Sequence, residues 1–143
     1  MPVINRIAEF SEDMTVWRRD LHAHPETAFE EKRTSDIVAA KLEEFGIEVH
    51  QGLATTGVVG TLCTGPGPSI GLRADLDALD VNELNDFDHK STRDGKMHAC
   101  GHDGHTAMLL GAARYLAETR KFKGTVQFIF QPAEENEGGG RVM

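Results

Sequence analysis

The chain has 143 residues, 39% hydrophobic and 27% charged, with a formal net charge of -8; it is long enough for one domain with its own core and has an ordinary globular composition. No run of about eighteen apolar residues exists to cross a membrane, and the acidity, with basic residues scattered as Arg18-Arg19 and Lys32-Arg33, disfavours nucleic acid, which is held by Lys and Arg neutralising phosphates. No charged stretch leads into an apolar run at the N-terminus, so no signal peptide is expected, and the cytoplasm is the expected compartment.

Ile7, Phe10, Met14, Trp17 and Leu21 recur at three- and four-residue steps, which predicts one helix over roughly residues 5 to 23, stopped by Pro25. A second helix is expected from Glu31 to Phe45, with Ile37, Val38, Ala40, Leu42 and Phe45 inward and Gly46 as its cap. Gly57–Cys63 is short, β-branched and bounded by glycine, hence a strand, with Cys63 read as a buried core thiol. Gly65-Pro66-Gly67-Pro68 is a turn, and Ser69–Asp75 reads as the returning strand. Residues 82 to 97 are polar and aperiodic, a loop. Thr106–Thr119 is a helix with Met108, Leu109, Ala112, Ala113 and Leu116 inward. Thr125–Gln131 reads as a central strand apolar on both faces and ended by Pro132. A glycine turn, Gly138 to Gly140, precedes a helix beginning at Arg141. Helices and strands alternate without repeat or linker, so the fold class is α/β in a single unit, residues 1–143.

Three segments carry chemistry. His98-Ala99-Cys100-Gly101-His102-Asp103-Gly104-His105 packs three histidines, a cysteine and an aspartate into eight residues. Cys and His are the usual ligands of zinc and similar metals. In extended backbone Cys100 and His102 would share a face, and a helix start nearby would favour the thiolate a metal needs. His98 and His105 suit ligation and a supporting role equally. Phe130-Gln131-Pro132-Ala133-Glu134-Glu135 places two carboxylates after a buried strand, where α/β sheets build their sites. Neighbouring residues point apart there, so one glutamate could hold a metal while the other faces a water. Leu72-Arg73-Ala74-Asp75-Leu76-Asp77 also ends a strand, and Asp75 or Asp77 could orient a ligand or substrate. His22 and His24, before Pro25, read as a cap and turn.

These residues, in this order, resemble the aminoacylase and carboxypeptidase-like metallopeptidase family, in its branch of hippurate hydrolases and N-acyl-amino-acid amidohydrolases. The carriers are Trp17 to His22 with Pro25-Glu26, Leu72 to Leu79, Met97 to His105 and Phe130 to Glu135. Asp80 departs from the family's usual proline. The resemblance implies a catalytic zinc-exopeptidase-like domain, a central sheet flanked by helices, with a separate lid domain and a dimeric assembly. It implies two divalent ions (zinc, manganese or cobalt), with Cys100, His102 and Glu135 as ligands, Glu134 as general base and Asp75 orienting the site. The implied reaction is hydrolysis of the amide bond of a small N-acyl-amino acid or peptide by a metal-bound water. Family members run to more than twice this length and supply the lid and two further histidine ligands beyond it. The chain is therefore expected to be the N-terminal portion of such an enzyme and inactive alone. Two rivals are a non-catalytic metal-binding domain and a hydrolase using Cys100 as nucleophile with His102 or His105 as base.

Overall fold

A computed structural model describes residues 4–143. The first apolar stripe forms two helices, α1 (Asn5–Glu9) and α2 (Ser11–Ala23), rather than one. Phe10 lies between them, 1% exposed, with the guanidinium groups of Arg6 and Arg114 over its ring. Burying that ring breaks the register between the helices while its backbone stays near helical geometry (φ -84°, ψ -3°).

Helix α3 spans Lys32–Glu44. Its first turn is capped by the Glu26 carboxylate, which accepts the N–H groups of Arg33 at 3.1 Å and Thr34 at 2.8 Å. It buries Val38, Ala39 and Leu42, whereas Ala40, expected inward, faces solvent. Strand β1 (Glu48–Leu53) follows; its polar edge sequence E-V-H-Q-G-L carries no apolar alternation and was not anticipated. Then come β2 (Gly57–Cys63), β3 (Ser69–Asp75), α4 (His102–Thr119), β4 (Thr125–Gln131) and the short α5 (Gly139–Val142).

The four strands lie in the order β1-β2-β4-β3. β2 is antiparallel to β1 and β4, and β3 is parallel to β4. β3 is thus not the returning arm of a hairpin with β2. The Gly65–Pro68 turn crosses the entry to β4, where Thr64 N–H reaches Gly124 O and Thr125 N–H reaches Pro68 O, both at 3.0 Å. A side chain at Gly124 would put its Cβ 2.2 Å from Pro68 O, so the crossing requires glycine there. β4, whose buried face carries Val126, Phe128 and Phe130, lies in the sheet interior between β2 and β3, and the β3–α4–β4 crossover makes β3 its parallel neighbour.

β4 buries Val126, Phe128 and Phe130 beside Val58 and Leu62 of β2 and against α4, in one apolar cluster with Val38 and Leu42 of α3. Thr125, Gln127, Ile129 and Gln131 take the other face, half-buried, with Gln127 accepting from Thr61 Oγ1 at 2.7 Å and Gln131 from Arg73 Nε at 3.0 Å. The strand is therefore amphipathic, and Ile129 alone breaks the alternation. Met108 points outward at 57% exposure, and Cys63, at the last position of β2, is exposed rather than a core thiol. Among the described residues no helix is long and apolar enough to cross a membrane.

Candidate metal centre

Parallel pairing of β3 and β4 brings Asp75 opposite Gln131, so both strands end at one edge of the sheet. The segment after β3 carries Asp77 and the segment after β4 carries Glu134 and Glu135. The N-terminus of α4 arrives at the same edge, tied there by Thr106 Oγ1 donating to Asp75 O at 2.9 Å. Three segments scattered in sequence thus form the mouth where open α/β sheets bind ligands.

Helix α4 begins four residues earlier than expected, at His102. Cys100 and His102 therefore do not meet through extended alternation. Gly101 (φ +89°) turns the chain in left-handed geometry between them and delivers both to one side. Cys100, His102 and Glu135 offer ligand atoms all within 4.8 Å of one another. Asp75, His102 and His105 form a second such trio, with His105 Nδ1 2.7 Å from Asp75 Oδ1. His102 Nδ1 lies 2.8 Å from Asp77 O, a group that can only accept, so Nδ1 carries the proton and Nε2 faces outward with its lone pair. Around Nε2 stand Asp75 Oδ1 at 3.6 Å, Glu135 Oε1 at 3.7 Å and Glu134 Oε2 at 3.9 Å.

The turn carrying the glutamates is tightly built. Ala133 has φ +52°, a left-handed conformation costing a non-glycine residue about 1–3 kcal/mol. Glu135 N–H donates to Asp77 Oδ2 at 2.9 Å, and Gly139 N–H donates back to Ala133 O at 2.9 Å. A Cβ at Gly139 would lie 1.9 Å from Pro132 O. Gly139→Ala is therefore expected to open the turn, lowering stability by about 1–3 kcal/mol in a denaturant melt and weakening metal binding; an unchanged midpoint and affinity would refute the packing argument.

Charge at the site calls for a cation. Burial opposes ionisation of His102, but Asp77 and Asp75 beside it outweigh that and raise its pKa. Burial likewise opposes the charge on Asp77, yet His102 and the N–H groups of Glu135 and Glu134 hold it below the usual carboxylate range. The adjacent Glu135 carboxylate, with burial and with Asp75 and Glu134, pushes the Cys100 thiol up to about 11. That corrects the expectation of a thiolate favoured by the helix start alone, and it opposes a free Cys100 nucleophile. Glu135 Oε1 is buried and, among the described residues, accepts no hydrogen bond. A soft thiol, an imidazole lone pair and carboxylates converging on one spot fit a divalent transition-metal ion, and such an ion there would reverse the upward push on the thiol.

Of the two aspartates offered by the sequence as orienting residues, Asp77 holds both His102 and the Glu135 backbone, while Asp75 bonds His105. His22 is no cap: it is buried, with Nδ1 2.9 Å from Asp103 Oδ2 and Nε2 3.1 Å from Glu83 Oε1. His98 is 5% exposed and neither ring nitrogen has a partner among the described residues; burial drops its pKa to about 4, keeping it neutral. His105 stacks on His102 with ring centroids 5.6 Å apart.

Residues 71–143 match the family model of peptidase family M20/M25/M40. The chain belongs to this family. Among its M20 relatives, the IAA-amino acid hydrolase ILR1-like 4 of Arabidopsis thaliana is 49% identical over 136 residues, 94% of this chain and 31% of that protein. The hippurate hydrolase of Campylobacter jejuni is 46% identical over 144 residues, 100% of this chain and 37% of that protein. The solved structure of the Bacillus subtilis YXEP protein, a dinuclear metal binding peptidase from the M20 family, superposes with a TM-score of 0.89 at 44% identity, over 94% of this chain and 39% of its own. The chain thus spans about a third of the length of the M20 relatives it matches. Membership of this metallopeptidase family and the α/β fold are as the sequence resemblance implied.

Proposed function

We propose that this chain forms part of a two-metal amidohydrolase that cleaves the amide bond of small N-acyl-amino acids or peptides. The observation that carries the proposal is the convergence of Cys100, His102 and Glu135 within 4.8 Å, with Glu134 beside them. In this reading Cys100 Sγ, His102 Nε2 and Glu135 Oε1 are the chain's ligands for zinc, manganese or cobalt. Bound there, the ions would supply Lewis acidity, lowering the pKa of a water and polarising the scissile carbonyl. Glu134 is the general base: its exposed carboxylate takes the proton of the attacking water and hands it to the departing amine. Asp77 keeps Nε2 of His102 free by holding Nδ1, and anchors the turn that carries both glutamates. Asp75, bonded to His105 and to Arg73 at 3.0 Å, lines the same mouth and orients the site from its other side.

The experiment is removal of metal from the whole protein with a chelator, then reloading and assay with N-acetyl- and N-benzoyl-amino acids. Activity should vanish with the metal, return with zinc, manganese or cobalt, and survive thiol alkylation of the loaded protein. Metal-independent turnover, or loss on alkylating the loaded protein, would favour Cys100 as nucleophile and overturn the assignment.

A further inference from the structure

Glu31 is 0% exposed and lies far in sequence from every residue of the centre. It stands at the N-cap position of α3, yet its side chain makes no cap bond. That task belongs to Glu26, which accepts the N–H groups of Arg33 and Thr34. The Glu31 carboxylate instead accepts the Ala133 N–H on Oε1 at 2.9 Å and the Thr56 hydroxyl on Oε2 at 2.6 Å. Both donors are neutral, so neither oxygen is bonded to a cation. A buried carboxylate so placed is costly, and burial raises its pKa. An apolar side chain would fill the same space more cheaply. What it could not do is accept the Ala133 N–H, which the left-handed turn at φ +52° aims into the interior.

We infer that Glu31 is a positioning residue of the metal centre: its buried carboxylate latches the Pro132–Glu135 turn from beneath, so that Glu135 and Glu134 face His102. The turn is then held at two points, Ala133 N–H by Glu31 and Glu135 N–H by Asp77 Oδ2 at 2.9 Å. With one latch gone the Glu135 backbone pivots about the other, and its Oε1 leaves the 3.7 Å approach to His102 Nε2. The inference rests on the reading of Cys100, His102 and Glu135 as ligands.

The test is cobalt(II) titration of the full 143-residue chain, followed by its visible absorption and its thiolate charge-transfer band. Glu31→Leu should bind cobalt about 10- to 100-fold more weakly, the usual cost of losing a supporting partner, while keeping the thiolate band, because Cys100 stays in place. Glu31→Gln retains an oxygen for the Ala133 N–H and should bind within about threefold of the unaltered chain. Thr56→Val removes the other bond to the same carboxylate. It should lower the melting temperature but leave cobalt affinity within a similar margin. If circular dichroism shows Glu31→Leu unfolded, Glu31→Asp, which withdraws the carboxylate by one methylene, replaces it with the same expectation. Unchanged affinity in the folded Leu or Asp variant would overturn the inference, as would equal weakening in Thr56→Val or in Glu31→Gln. An unaltered chain that binds no cobalt with a thiolate band would overturn the ligand reading itself, and the inference with it.

Discussion

Replacing Glu134 by Gln in the whole protein should cut turnover on N-acyl-amino acids by about a hundredfold or more, the usual cost of losing a general base, with metal content unchanged. Glu134 and Glu135 are neighbours, and both reach His102 Nε2, at 3.9 and 3.7 Å, so distance alone does not divide their roles. Their surroundings do. Glu135 is half-buried, its Oε1 sealed from water without a hydrogen bond among the described residues, and it presses on Cys100. Glu134 is exposed at the mouth, where a water and a substrate can reach it. Glu135→Gln should therefore lower metal occupancy first and activity as a consequence, with excess metal restoring part of the rate. Metal analysis beside steady-state kinetics on the two variants separates the roles. Loss of metal from Glu134→Gln with full occupancy in Glu135→Gln would interchange them, and normal activity in both would remove the pair from the mechanism.

The second large effect is expected from the chain by itself. Loaded with zinc, manganese or cobalt, it should hydrolyse N-acetyl- and N-benzoyl-amino acids at roughly a hundredth of a full-length relative's rate or less, since displacing catalytic groups by about 1 Å already costs that much. The two ligand trios share His102, and its Nδ1 is committed to Asp77. Only Nε2 is left, and it can serve one ion. A catalytic zinc normally takes three protein ligands, so a second ion would keep at most Asp75 and His105 plus a shared thiolate or carboxylate. One ion held firmly and a second held poorly cannot clamp attacking and leaving groups together. Metal titration should accordingly show one tight site per chain. Two tight sites, or turnover matching a full-length relative, would mean that His105 and Asp75 complete the centre within this segment.

Much of this was written into the sequence by local chemistry. The period of the apolar residues marked α2 and α3, and short apolar runs bounded by glycine or proline marked β2 and β4, because burying apolar side chains is a short-range demand. The density of ligand types from His98 to His105, and the paired carboxylates after Pro132, named Cys100, His102, Glu134 and Glu135 before any geometry was known, since residues of those types rarely cluster so closely without use. The tertiary structure decided what depends on distant partners. β4 lies between β2 and β3 because its face of Val126, Phe128 and Phe130 has to be covered, and a local glycine-proline turn cannot register that demand. β1 escaped because an edge strand needs no apolar alternation. Helix α4 starts at His102 because its first turn is bonded to the end of β3 and the residues just after it, His105 to Asp75 and His102 to Asp77, contacts 30 and 25 positions away in sequence. His22 and Glu31 carry no local signature, since a histidine at a helix end and a glutamate before a helix are ordinary residues, and the sequence left Asp77 only as an alternative to Asp75. Each acquires its role from hydrogen bonds made across the fold, among them Asp77 to His102, His22 to Asp103 and Glu31 to Ala133, and such bonds exist only once the chain has brought the two ends together.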